Sequence, residues 1–217
     1  MRLWLRTGEI LALANVPSYN PNNRAHLSGA QLRNRAITDS FEPGSTLKPF
    51  TIAAALEHHR ITPATRIQTA PGTLTIGNYT IHDAHRESML TVAQVIQKSS
   101  NVGASKIALE LPRQQMWDMF EEVGFGAPPK LSFPGEASGK VRPWQTWHPI
   151  EQATMSYGHG ISVSLLQLAH AYTIFARDGV LVPLTLMRSG NPVHGPESRD
   201  TSADAEGRPP RFVSRSR

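Results

Sequence analysis

The sequence predicts an α+β fold, a cluster of helices beside an antiparallel sheet, and three observations carry that expectation. Two short apolar alternations, "LWLRTGEILALA" near the N-terminus and "TLTIGNYTIH" further on, each reverse about a glycine, as β-hairpins do. From Ser45 to Asp178, apolar residues recur at helical spacing in several segments of ordinary helix length. No internal repeat divides the chain, so its 217 residues suit one good-sized core or part of a larger domain.

Taken in order, the first hairpin turns at Arg6-Thr7-Gly8. "VPSYNPNN" and the Asn-, Arg- and Gly-rich stretch to about Arg35 carry the chemistry of loop. A helix is expected from Ser45 to about His59, after the Pro43-Gly44 break, with two histidines at its C-terminal end, where the helix dipole favours them. The second hairpin turns at Gly77-Asn78. "TVAQVIQK" and "VGASKIALEL" read as helices separated by the polar interruption "SSN". Pro112 to Val123 is another, with Met116, Trp117, Phe120 and Val123 on one side and Gly124 as its stop. The stretch 125–150 is Gly- and Pro-rich loop. Ser164 to Asp178 is the last helix, with Leu165, Leu168, Ala169, Tyr172 and Phe175 expected inward and Gly179 ending it. Beyond about Met187 only Val193, Phe212 and Val213 are large and apolar, too few to offset the entropy of ordering, so residues 188–217 are expected to form a disordered tail.

Composition excludes several classes. No run approaches the roughly 18 apolar residues of a membrane span, and "MRLWLRTGEI" has neither the length nor the cleavage site of a signal peptide, so no membrane insertion is expected. With no cysteine there is no disulfide and no thiolate metal site. The net charge of +5 is spread out: the last 30 residues hold 6 of the 22 basic and 4 of the 17 acidic side chains. There is no basic stripe interleaved with aromatics, so no nucleic-acid partner is expected, only a mild bias toward anionic ones.

The chemistry is concentrated in "EPGSTLKPF". On a helix starting near Ser45, Lys48 lies almost one turn on and shares its face. A hydroxyl becomes nucleophilic when a base takes its proton, and a lysine is such a base once burial and the positive helix end disfavour its charge. The same letters also suit an ordinary helix start, capped by Ser45 or Thr46, with Pro49 near the first turn and an apolar run after it. In "KSSNVGAS", Ser99 and Asn101 fall at a break between helices, where short polar side chains project into a cleft; equally, they end one helix and cap the next. A second Ser-Xaa-Asn, Ser18-Tyr19-Asn20, lies in a loop, so neither motif decides alone.

Together they do. Ser45-Thr46-Leu47-Lys48 followed 54 residues later by Ser99-Ser100-Asn101 resembles the first two active-site motifs of the penicillin-binding proteins. "RTGEILALANVPSYNPNN", "QKSSNVGASKIAL", "FPGE" and "SYGHGISVSLLQLAHAY" resemble the transpeptidase domain of the class B enzymes, most of all the division-specific one that builds septal peptidoglycan. The resemblance implies the penicillin-binding/β-lactamase-like transpeptidase fold and a D,D-transpeptidase. Ser45 would attack the penultimate D-alanine carbonyl of a stem peptide, Lys48 would take its proton, and Ser99 would relay a proton to the departing D-alanine. Asn101 would hold Lys48 and the substrate amide. The partners implied are peptidoglycan stem peptides and their lipid-linked precursor, β-lactams, and septal division proteins, at the periplasmic face of the inner membrane. No cofactor and no metal is expected.

The chain departs from the family pattern in two places. None of its five lysines (Lys48, Lys98, Lys106, Lys130, Lys140) precedes Ser/Thr-Gly, the family's third motif, which binds the substrate carboxylate and supplies an oxyanion N–H. The resemblance also stops near residue 187, before the strands that complete the family's sheet. Residues 1–187 are therefore expected to form a partial transpeptidase domain lacking its C-terminal sheet strands and, at the other end, the anchor and pedestal; residues from about 188 are expected to come from a shifted reading frame. The competing expectation is a catalytically dead penicillin-binding fragment or interaction module, or an inert product of a disrupted gene. Of the remaining polar clusters, His82, Asp83 and His85 in "IHDAHRE" read as a polar loop beside the cleft rather than a metal site, and His159 as a loop residue between two glycines.

Overall fold

The structure is a computed structural model, and it describes residues 1–188. β1 (Arg2–Leu3) and β2 (Ile10–Ala12) form the first hairpin, Leu3 opposite Ile10. The stretch expected as loop to about Arg35 contains a single-turn helix, α1 (Gly29–Leu32), and a second, α2 (Arg35–Thr38), follows at its end. Local chemistry explains α1: Gln31 Oε1 accepts the Ser28 N–H at 2.9 Å, a reciprocal cap that the turn-rich composition conceals. Tertiary burial explains α2, whose Ile37 is fully buried.

β3 (Ser40–Phe41) leads through a 3-10 turn, Gly44–Leu47, into α3 (Lys48–Glu57). The expected helix thus begins as a tighter turn. Pro49 has no N–H to return to the Ser45 carbonyl, and that carbonyl is taken instead by the N–H of Lys48, three residues on. Then follow β4 (Arg66–Gln68), β5 (Thr73–Ile76), β6 (Tyr79–His82) and β7 (Met89–Thr91). β5 and β6 pair from Ile76↔Tyr79, so Gly77-Asn78 is the two-residue turn expected, with Gly77 at φ +59°.

α4 (Val92–Gln97) and α5 (Asn101–Leu109) flank the predicted break, and α6 (Arg113–Glu122) ends before Gly124, at φ +88°. The Gly/Pro-rich region closes with a helix the composition concealed, α7 (Pro149–Met155), with proline at its start and Glu151 Oε2 accepting the His148 N–H. β8 (Val163–Ser164) pairs with β3, and α8 (Leu165–Tyr172) runs into a 3-10 turn, Thr173–Ala176. Among the described residues the strands pair as four two-stranded antiparallel ladders. Among the described residues, no helix is long and apolar enough to cross a membrane. The tail expected at 188–217 lies, except for Arg188, outside the described residues.

The main core gathers α3, α5, α6 and α8 around Leu47, Phe50, Ile107, Met116, Phe120 and Ala171. α8 corrects one expectation. Leu166, Leu168, Ala171 and Ile174 are its buried side, whereas Leu165, Tyr172 and Phe175 are partly exposed. Of the residues expected inward, Leu168 is buried as expected, and the helix gives way after Tyr172 to the 3-10 turn that carries Ile174 and Phe175. Tyr172 and Phe175 still pack their rings on Phe50, at 5.1 Å each.

Candidate active site

Three segments far apart in sequence converge at the N-terminal end of α3. The Gly44–Leu47 turn presents Ser45 at the surface, and Lys48, one residue into the helix, is only 1% exposed. Lys48 Nζ lies 2.9 Å from Ser45 Oγ, 2.7 Å from Ser99 O, 2.9 Å from Ser99 Oγ and 2.9 Å from Asn101 Oδ1. Lys48 therefore bonds to each of the other three sequence-predicted site residues, Ser45, Ser99 and Asn101. Ser18 and Asn20, of the competing Ser-Xaa-Asn, bond within the N-terminal loops: Ser18 O accepts from Gln31 Nε2, and Asn20 Oδ1 from the Asn22 N–H in a local turn.

Each polar group has a local cause. Ser99 sits in the left-handed region at φ +55°, unusual for a residue with a Cβ, and this conformation turns both its carbonyl and its hydroxyl toward Lys48. Ser100 caps α5 by accepting the Gly103 N–H at 2.8 Å. Asn101 Nδ2 donates to His82 O at 3.1 Å, which leaves its Oδ1 facing Lys48.

Burial lowers the pKa of Lys48 to about 8, with the charge of Asp83 acting the other way. A charged ammonium offers three N–H groups to these four oxygens. A neutral amine offers two, suited to Ser99 O and Asn101 Oδ1, which carry no hydrogen, and its lone pair then faces a hydroxyl of Ser45 or Ser99. The arrangement thus suits a neutral lysine that accepts a serine proton, the chemical requirement of a Ser-Lys nucleophile.

Two further residues border the site: Asp83, which the sequence reading places in a polar loop beside the cleft without a role, and Tyr157, which it does not single out. Asp83 accepts from Ser100 Oγ at 2.7 Å and from the Val102 N–H at 2.9 Å, anchoring the start of α5. Its sequence signal is the polar run "HDAHRE", which leads from the end of β6 toward β7. The ring centroid of Tyr157 is 6.0 Å from Lys48 Nζ, and burial raises its pKa, keeping the phenol neutral. Its neighbour His159 lies between Gly158 and Gly160, both at positive φ, in the loop position expected for it. Among the described residues, no three His, Asp or Glu side chains converge as a metal site requires.

Comparison with known proteins identifies the family. Residues 5–206 match the family model described as the penicillin binding protein transpeptidase domain. The chain is 47% identical over 183 residues to a probable peptidoglycan D,D-transpeptidase, PbpC, of Pseudomonas aeruginosa, covering 84% of this chain and 32% of that protein. It is 49% identical over 180 residues to the probable peptidoglycan D,D-transpeptidase PenA of Neisseria gonorrhoeae, covering 83% and 31%. A crystal structure described as a peptidoglycan glycosyltransferase from Burkholderia ambifaria superposes with a TM-score of 0.80 at 48% identity, covering 89% of this chain and 57% of that one. The chain spans about a third of the length of these curated relatives.

Proposed function

The chain belongs to the penicillin-binding protein transpeptidase family, and from that premise we propose that it carries the acylating centre of a peptidoglycan D,D-transpeptidase. Ser45 Oγ attacks the penultimate D-alanine carbonyl of a stem peptide while neutral Lys48 takes its proton. Ser99 passes a proton to the nitrogen of the leaving D-alanine as the C–N bond breaks, and Asn101 keeps Lys48 in place and holds the substrate amide. The amine of a neighbouring stem then displaces Ser45 from the ester, giving a cross-link. β-Lactams, which resemble the D-Ala-D-Ala end, acylate Ser45 in the same way. The setting is the periplasmic side of the cell wall, in septal synthesis with division proteins as partners; the likeness of the motif-bearing stretches to the division-specific enzymes supports that choice.

The observation that carries the reading is a lysine only 1% exposed with its Nζ 2.9 Å from an exposed serine hydroxyl. The test is labelling with a fluorescent penicillin followed by peptide mass mapping. Covalent label on Ser45, lost in Ser45→Ala with the folded state intact, is the expected result. A folded chain that takes no label overturns the reading.

A further inference from the structure

Glu42 is used by no step above, yet it joins the serine-bearing turn to a loop 118 residues away. Its Oε1 accepts the Gly160 N–H at 2.8 Å, and its Oε2 lies 3.5 Å from His159 Nδ1. Two further contacts make this a junction of backbones. The Gly44 N–H donates to Gly158 O at 3.3 Å, and a Cβ placed on Gly158 would sit 2.2 Å from Gly44 O and 2.4 Å from Gly44 N. The residue directly after Gly44 is Ser45, and the residue directly before Gly158 is Tyr157, whose ring faces Lys48 at 6.0 Å. The loop therefore meets the serine-bearing turn at Gly44 and places the Tyr157 ring near Lys48.

A loop with Gly158 and Gly160 both at positive φ has little intrinsic preference for one conformation. Within it, the Gly160 N–H is held by a carboxylate, and a charge-assisted bond to a fixed oxygen is the stronger kind. Glu42 follows β3, which is itself paired with β8 (Phe41↔Val163), so its own position is set by the ladder that carries the loop back into α8.

We propose that Glu42 is a positioning residue: it clamps the Tyr157–Gly160 loop onto the Gly44–Leu47 turn and so fixes the approach of Ser45 to Lys48. The inference deepens the acylation reading and rests on it, so its test has one arm that needs no activity. In that arm, amide hydrogen exchange follows the peptide spanning 157–161 in the full chain. Glu42→Ala is expected to raise exchange there at least about tenfold, with the melting temperature close to that of the parent. Glu42→Gln, which keeps an acceptor oxygen, restores most of the protection. Unchanged exchange in Glu42→Ala overturns the clamp.

In the second arm, the rate of labelling by fluorescent penicillin is measured against concentration to separate binding from acylation. Glu42→Ala is expected to lower the limiting acylation rate about 10- to 100-fold with half-saturation little changed, and Glu42→Gln to recover it. A limiting rate equal to the parent's, or a loss that Glu42→Gln shares in full, overturns the positioning role. Should Glu42→Ala not fold, the comparison of Glu42→Gln with His159→Ala in the same two measurements takes its place: the proposal requires near-parental behaviour from the first. A parent chain that takes no label defeats the acylation reading, while the exchange arm still decides the clamp.

Discussion

At the scale of the residue, Lys48 concentrates the chemistry. It is a basic side chain only 1% exposed, and its pKa falls from 10.5 to about 8 because burial penalises the charged form more than the Asp83 carboxylate favours it. Because the folded-state pKa is the lower one, between pH 8 and 10.5 the unfolded chain binds a proton that the folded chain does not. The contribution of this group to stability therefore rises with pH across that window and is least below it. The same value sets the reaction. The rate of acylation by a fluorescent penicillin should climb with pH through a midpoint near 8, as the neutral amine becomes populated. Asp83→Asn keeps an oxygen for the Val102 N–H but removes the charge, so the midpoint should move to lower pH. A midpoint that stays in place or rises would show that Asp83 does not act on Lys48 through its charge.

At the scale of the element, the site depends on how helices begin and end. α3 starts as a 3-10 turn because Pro49 interrupts the first regular hydrogen bond, and that turn sets Ser45 at the surface with Lys48 inward. Between α4 and α5 the chain reverses through Ser99, at φ +55°. Such a conformation costs a non-glycine residue on the order of 1 kcal/mol or more. Ser99→Gly should therefore leave stability equal or raise it by about 1 kcal/mol in urea denaturation, while slowing acylation through loss of the hydroxyl beside Lys48. A glycine variant that is clearly less stable would mean that the Ser99 hydroxyl contributes more to the fold than the strained backbone costs. The motif Ser99-Ser100-Asn101 was visible in the sequence as a helix break; its left-handed turn was not, because serine has no composition signal for that conformation.

At the scale of the whole molecule, the three pieces of the site are held by bonds between helices that the sequence sets far apart. Thr51 Oγ1 donates to Ser156 O, and Ser105 Oγ to Ala153 O. Gln152 Nε2 donates to both Ala108 O and Leu111 O at the end of α5. Phe50 is the apolar counterpart: fully buried, it is packed by the rings of Phe125, Tyr172 and Phe175, and Tyr172 also donates to Thr46 O in the serine-bearing turn. Phe50→Ala should cost about 3–5 kcal/mol in chemical denaturation. A cost below about 1 kcal/mol would place the structural weight of this end of the molecule elsewhere than in the ring cluster.

The sequence by itself determined the α+β class, both hairpins and the helix break at Ser99-Ser100-Asn101, because turn glycines and helical periodicity are written in near neighbours, and the resemblance of its two motifs singled out Ser45, Lys48, Ser99 and Asn101. Only the tertiary structure decided what those residues meet. The short helix α2, the buried side of α8, the depressed pKa of Lys48, the anchoring of α5 by Asp83 and the grip of Glu42 on Gly160 all depend on segments distant in the chain. Desolvation sums over every atom that covers a group, and a loop's conformation follows the partner that binds it. Neither quantity is carried by the residue's own neighbourhood in sequence.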